Sequence, residues 1–505
     1  MPISAFFALI KLNRFMQKLF AIFIAILLTT TSSLYSQPSI EWQKCLGGSS
    51  DDEAYSVQQV ADGGYIVAGT TSSNDGDVIG NHAQYTRDNW VIKFDNSGNQ
   101  QWQKFLGGTD SEGGGAIQQT ADGGYIVAGS AVSNDGDVNG NHGNVDFWMV
   151  KLDITGNIQW QKCLGGTNSE IAHDIQQTSD GGYILAGETV TNDDGDVSGI
   201  HTDMFGGVNW PDYWVVKTDS QGNIQWQKCL GGTHDDRAYS VRETTDGGFL
   251  VGGWSYSTDG DVTGHYGSDD AWIVKLSNVG NIQWQKSLGG TGLDDLHNIE
   301  QTLDGGFVIA CSSGSIDNDV IGGHGLADLW VVKIDQTGNI QWQRCMGGTE
   351  SDYGAFVQQT ADGGYIVSGS PQSNDGDVSG NHSFNYEDFW VVKLNSIGNI
   401  EWQKCYGGTN RDGSECIRQT TDGGYIMAGY TMSNNGDVSG HHGDWDFWIV
   451  KLSAFAGGLD DLSQTNDKII IEIIDLTGRI SEIKTNQLLL YRYSDGTVEK
   501  KLIIE

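Results

Sequence analysis

The chain has 505 residues, with 28 Lys and Arg against 65 Asp and Glu, a formal net charge of −37. Such acidity repels phosphate along most of the chain and excludes a general nucleic-acid binder. Gly reaches 72 residues and Pro only 4, with no Gly-X-Y period, so the chain is not collagen-like, and 17 Trp, 18 Tyr and 16 Phe supply the apolar surface of a folded core.

Residues 1–36 carry Lys11, Arg14 and Lys18 and no acid, followed by the apolar run Leu19–Leu28 and the small-residue stretch Ser33-Leu34-Tyr35-Ser36. A basic flank, a short apolar core and small residues are the layout of a secretory signal, with cleavage expected near Ser36–Gln37. Met16 is an alternative start, since the motif is complete from there. The competing reading is an N-terminal anchor helix, which the run is short to supply, because a span needs about 20 apolar residues.

From residue 37 to 455 the chain repeats itself. Trp42, Trp102, Trp160, Trp226, Trp284, Trp342 and Trp402 each sit in a Gln/Glu-Trp-Gln-Lys/Arg segment, at spacings of 60, 58, 66, 58, 58 and 60 residues. A second series is Trp90, Trp148, Trp214, Trp272, Trp330, Trp390 and Trp448. Each copy holds four short strand candidates, here a to d: Ser56–Gln59, Tyr65–Gly69, Asn89–Phe94 and Gln101–Lys104 in the first. Asp62-Gly63-Gly64 separates a from b and Gly98-Asn99 separates c from d. Both are hairpin chemistry, because these residues reach positive φ at little cost.

Four antiparallel strands repeated seven times predict an all-β fold, a seven-bladed β-propeller. The repeats open on a lone d strand, Ile40–Lys44, and end on an unpaired c strand, Phe447–Leu452. Pairing them would complete the last blade and remove two exposed edges, which an open solenoid, the alternative, would not need. Asp88 and its six equivalents, two residues before the second Trp, fit a structural acceptor of backbone N–H groups. Lys93 and its equivalents, three after that Trp, fit an edge cap. Cys45, Cys163, Cys229, Cys345 and Cys405 share one position on separate blades, too far apart for disulfides, and read as small buried hydrophobes.

The short a–b and c–d turns should share one face and the long d–a and b–c connectors the other. The b–c connectors carry the candidate metal ligands Asp75 and Asp77, Asp135 and Asp137, Asp194 and Asp196, Asp259 and Asp261, Asp317 and Asp319, Asp375 and Asp377, and Asp437, each followed by a His such as His82. Three readings of these Asp-x-Asp stretches stand: turns bonding their own backbone, Ca2+ held through carboxylate oxygens, and Zn2+ using the His. No cofactor is required by the sequence, with Ca2+ the candidate cation. Candidate ligand-binding aromatics on irregular connectors are Trp210, Trp254, Tyr266, Tyr386 and Trp445, with Met204, Phe205 and Phe384 nearby. There is no Gly-x-Ser-x-Gly, His-Glu-x-x-His or phosphate loop. No residue is assigned as catalytic; a glycosidase-type acid pair would have to be assembled from loops of different blades, and that alternative predicts that irregular loop residues such as Asp212, Asp269 or Glu387 converge near the channel.

Gly457-Gly458 and Ser463–Asn466 mark 456–466 as a linker. The tail, 467–505, reads as three strands, Lys468–Asp475, Leu488–Tyr493 and Val498–Glu505. Asp475-Leu476-Thr477-Gly478-Arg479, Tyr491-Arg492-Tyr493-Ser494-Asp495-Gly496-Thr497 and Lys500-Lys501-Leu502-Ile503-Ile504 resemble the C-terminal sorting domain of the bacterial type IX secretion system, without that family's Pro-Asn-Pro strand. The resemblance implies export across an outer membrane, with the secretion machinery as partner. The Asp-Gly-Gly-Tyr-Ile-Val-x-Gly segments Asp62–Gly69, Asp122–Gly129 and Asp362–Gly369 resemble the repeats of secreted bacterial β-propeller proteins. Together these lead to a secreted or cell-surface protein with no membrane span after signal removal. Its expected role is a non-catalytic binding or adhesion module whose acidic long-loop face meets an extracellular glycan, a protein or a cation. The alternative is an extracellular polysaccharide-degrading enzyme using loop carboxylates.

Overall fold

Short glycine-rich turns, such as Val60–Gly64 and Asp95–Asn99, separate runs too short for helices, and the chain answers with hairpins throughout. The computed structural model describes residues 37–82, 86–201, 210–383 and 386–454, together with strands Ile470–Asp475, Leu488–Tyr493 and Val498–Leu502. Residues 1–36, where a signal is expected, the expected linker 456–466, the turns of the tail, and Met204, Phe205 and Phe384 lie outside the described residues. All regular structure among the described residues is strand.

Seven four-stranded antiparallel sheets form seven blades. Blade 1 is Asp52–Gln59, Tyr65–Thr71, Asp88–Phe94 and Gln100–Leu106, in that order across the sheet. The inner strands of the other six are Glu112–Gln119, Glu170–Gln177, Asp236–Glu243, Asp294–Gln301, Asp352–Gln359 and Asp412–Gln419. The ring closes as the sequence requires: Ile40–Leu46 pairs antiparallel with Asp446–Leu452 and becomes the outer strand of blade 7. Trp448 Nε1 donates to Gln43 Oε1 at 3.0 Å across this seam, and Lys451 Nζ meets Glu41 Oε2 at 3.2 Å.

The core lies between blades. Val91 and Leu106 of blade 1 pack with Val127, Trp148 and Val150 of blade 2 in one apolar cluster, and clusters of the same kind join later neighbours. All seven Trp of the second series are fully buried, a large apolar contribution from each blade. The first-series Trp instead covers the next copy's Gly-Asn turn. A Cβ on Gly98, at φ +76°, would come within 2.8 Å of the Trp42 ring, so this turn needs glycine for both its φ and its neighbour.

Polar clips repeat with the blades. Gln59, Gln119, Gln177, Glu243, Gln301, Gln359 and Gln419 each accept from the backbone N–H of an adjacent blade's a–b turn at 2.7–3.1 Å, and the Gln59 Oε1–Thr421 N bond joins blade 1 to blade 7. Lys93 and its equivalents depart from the expected edge cap. Lys93 is 2% exposed, with its Nζ bonded to Asp62 of the Asp-Gly-Gly turn, the Phe94 carbonyl and Gln101. It ties the two short turns together because a buried ammonium needs acceptors on every N–H.

The three tail strands form a separate antiparallel sheet in a unit distinct from Pro38–Ala454, with Leu488–Tyr493 central.

Candidate functional site

Seven inner strands surround a central cavity of about 1110 Å3. Each carries a register shift at the same place, which leaves Tyr55, Gly115, His173, Tyr239, His297, Ala355 and Glu415 as the bulged residues of blades 1 to 7. A bulge re-aims a side chain out of the ladder. Here six of these residues line the cavity with four different chemistries: the phenols of Tyr55 and Tyr239, the imidazoles of His173 and His297, the carboxyl of Glu415 and the bare backbone of Gly115. The blades agree in backbone and disagree in what they point at the axis.

Around the cavity the His173 and Tyr239 ring centroids are 4.5 Å apart, and Tyr239 and His297 6.2 Å. Desolvation lowers His297 to about 4, so its imidazole is neutral at pH 7, and Nε2 faces Ser312 Oγ at 3.0 Å. On the opposite arc Tyr55 donates to Glu53 Oε2 at 2.5 Å. Burial, and then the Glu53 charge, push the Glu415 carboxyl up to about 8. Toward the short-turn end, Arg242 pairs with Asp174, and Arg418 reaches across blade 6 to Glu300 at 3.4 Å.

The long-connector end forms the mouth. There the backbone N–H that opens each inner strand donates to a carbonyl of the preceding blade at 2.6–2.8 Å; the acceptors are Arg87, Val145, Pro211, Asp269, Ala327, Glu387 and Trp445. An invariant hydrogen bond therefore presents seven unlike side chains. Arg87 pairs with Glu53 at 3.4 Å, Arg237 with Glu188 at 3.1 Å beneath Trp254, and Arg411 with Glu387 at 2.8 Å. Asp269 and Asp295 repel each other, and burial reinforced by Asp269 raises Asp295 to about 6.

The structure separates the residues expected from sequence. The first Asp of each b–c connector staples that connector to the d–a connector: Asp135 accepts from Thr109 N and Oγ1, both at 2.8 Å, and Asp75, Asp194, Asp259, Asp317 and Asp375 accept from the matching backbone N–H. The second Asp faces a neighbouring blade: Asp77, Asp137 and Asp261 stand 3.6–3.8 Å from Nε2 of His442, His82 and His201, while Asp196 and Asp437 meet Gly165 and Gly407 N. Asp377 lies 3.8 Å from Arg344, and burial raises Asp319. Among the described residues no three His, Cys, Asp or Glu side chains gather as a metal site, and the donor set around Asp135 is already taken by protein N–H and O–H groups.

Asp212 is fully buried and accepts from His201 N at 2.8 Å, a scaffold position remote from the axis residues, whereas Asp269 and Glu387 do stand on the mouth. Of the aromatics, Tyr386 and Trp445 come together around one recess, Trp254 supports Arg237, and Trp210 and Tyr266 are exposed on other connectors. The bulged residues were missed as a group, although their signal is in the sequence: one position varies freely between repeated neighbours. All seven Cys are free and buried.

No family model matches the chain. The regulatory protein FlaEY of Caulobacter vibrioides is 27% identical over 168 residues, 32% of this chain but only 17% of that protein. Similar solved structures include a protein of unknown function from Dyadobacter fermentans, at 12% identity and TM-score 0.41 over 83% of this chain and all of that one. Puromycin hydrolase matches at 10% and 0.44 over 91% and 62%, and the Pan2 WD40 domain of Neurospora crassa at 9% and 0.37 over 68% and 89%.

Proposed function

We propose that this propeller is a secreted or cell-surface binding module that takes its ligand at the long-connector mouth of the central channel. One observation carries the reading: seven near-identical blades hold seven unlike residues at the mouth and five residue types at the bulge, and sequence variation on a fixed backbone is how a repeat scaffold makes a recognition surface. The leader and the type IX-like tail supply the export route, with the secretion machinery as the tail's partner. The propeller's partner is then an extracellular glycan or protein.

The test is a binding screen of the exported protein against polysaccharides and envelope proteins, with product analysis on every positive. Binding without turnover, weakened by Arg237→Ala or Glu53→Gln at the mouth, is the expected result. Turnover abolished by Glu387→Gln or Asp269→Asn would replace it with the degrading-enzyme reading, which the raised carboxyls of Asp295 and Glu415 favour, since a protonated acid near neutral pH is what glycoside cleavage needs.

A further inference from the structure

Aliphatic side chains are spread unevenly over the long-connector face. Leu293, Ile316, Ile321 and Leu326 are 53–75% exposed, and all four stand on the two connectors that flank the inner hairpin of blade 5. Among the described residues no other blade exposes more than one Val, Ile or Leu on these connectors. Blade 2 carries Ser111, Asn134 and Asn144 where blade 5 carries Leu293, Ile316 and Leu326. The backbone draws these three together. Gly314, two residues before Ile316, donates its N–H to the Leu293 carbonyl at 2.7 Å, and a Cβ on Gly314 would lie 3.3 Å from the Leu326 carbonyl oxygen. A single exposed aliphatic is ordinary on any surface, but a group gathered on one blade marks a surface that another molecule covers.

The patch adjoins uncompensated charge. Leu293 is followed by Asp294, whose N–H bonds the Asp269 carbonyl at 2.8 Å, and then by Asp295, which lines the central cavity. Among the described residues neither the Asp269 nor the Asp295 side chain has a hydrogen-bond or ion-pair partner, and both are partly open to solvent. The charged and titratable groups around them are Asp235, Asp294, His265, Tyr239 and Arg237, and Arg237 is already held by Asp235 and Glu188. A cation brought beside the two carboxylates relieves their mutual repulsion.

We infer that the connectors of blade 5 dock a protein partner that presents an aliphatic cluster beside a lysine or arginine, its apolar side chains covering Leu293, Ile316 and Leu326 and its cation reaching Asp269 and Asp295 at the channel rim. The inference rests on the mouth-binding reading above and names its partner class. Apolarity selects protein over glycan, because Leu and Ile have no ring face and no polar group for a sugar hydroxyl and gain only by burial against other apolar atoms. Charge selects the basic partner: acids left unpaired at a rim steer and orient a complementary surface. A second copy of this chain, at −37, brings the wrong sign.

The test pans a displayed library of random dodecapeptides against the full chain and measures the selected peptides by calorimetry. They should carry Lys or Arg within a few residues of Leu, Ile or Val. Leu293→Ser, Ile316→Asn and Leu326→Asn put the residues of blade 2 on blade 5, and each should weaken binding about tenfold. Asp295→Asn should weaken it about threefold or more and flatten its loss between about 0.05 and about 0.5 M salt. Leu303→Ala, at an 89% exposed side chain in the a–b turn on the opposite face, should change nothing. Peptides that bind the three blade-5 variants as well as the parent, or a selection without cations, would overturn the docking surface. So would dimerisation of the full chain that Leu326→Asn abolishes, which would give the patch to a second copy. Sugars bound at the mouth with no peptide selected would overturn it too and leave the binding-module reading standing, whereas failure of every peptide, sugar and envelope protein would remove both.

Discussion

Glu415 offers a sharp test of the channel's electrostatics. Its carboxyl, ordinarily near 4.5, is pushed up to about 8 by burial and by Glu53 on the neighbouring inner strand. Folding therefore prefers the protonated acid. That contribution is complete below pH 4.5 and is lost as pH rises through 8. At 1.36 kcal/mol per unit the full shift is about 5 kcal/mol above pH 9 and about 3 kcal/mol at pH 7. Glu415 keeps some contact with solvent in the cavity, so both are upper values. Gln is isosteric and cannot ionise. Glu415→Gln should then match the parent at pH 4 and be more stable by up to about 3 kcal/mol at pH 7 and about 5 kcal/mol at pH 9. At about 2.1 cal/mol/K per residue over roughly 400 residues, these correspond to rises in Tm of about 4 °C and about 6 °C. Thermal melts at pH 4, 7 and 9, followed by near-ultraviolet circular dichroism, read this directly. The same Tm difference at all three pH values, or a variant less stable than the parent at pH 9, would refute the buried-acid account.

Removing residues 37–46 strips the outer strand from blade 7, with the Gln43–Trp448 and Glu41–Lys451 contacts, and bares the edge of Asp446–Leu452. A fall in Tm of more than about 5 °C and concentration-dependent association in size-exclusion chromatography are expected, because an unpaired strand edge recruits another; a monomer with unchanged Tm would show that the seam does not hold the ring. All seven thiols are buried, and burial raises Cys163 to about 12, so a thiol reagent should label none in the native protein and all seven in denaturant. Fewer than seven in denaturant would reveal a disulfide. Because the connector carboxylates already hold Thr and backbone N–H groups, millimolar chelator should leave Tm unchanged, whereas a Ca2+-dependent rise in Tm would support the calcium reading.

The architecture was readable because its causes are local and repeated. Asp-Gly-Gly and Gly-Asn turns set hairpins, and the orphan strand Ile40–Leu46 matched an orphan gap beside Asp446–Leu452. Asp-x-Asp was also legible as a pattern, but its partners were not: Asp135 bonds Thr109, 26 residues earlier, and Asp137 faces His82 of the previous blade. Lys93 read as an edge residue and is buried, since its acceptors come from separate elements, Asp62 from the a–b turn and Gln101 from the outer strand. Tyr386 and Trp445 were named singly, and only the juxtaposition of blades 6 and 7 makes them one recess.

The sequence by itself determined the number of blades, the strand order within each and the way the circle is sealed, because turn chemistry and strand alternation act between near neighbours. Tertiary structure alone decided which strand faces the axis, that Tyr55, His173, Tyr239, His297 and Glu415 share one cavity, and that a buried Glu387 meets the partly exposed Arg411 beside Tyr430. Those groupings join residues up to several blades apart, and their desolvation and mutual charge exist only once the ring has brought them together.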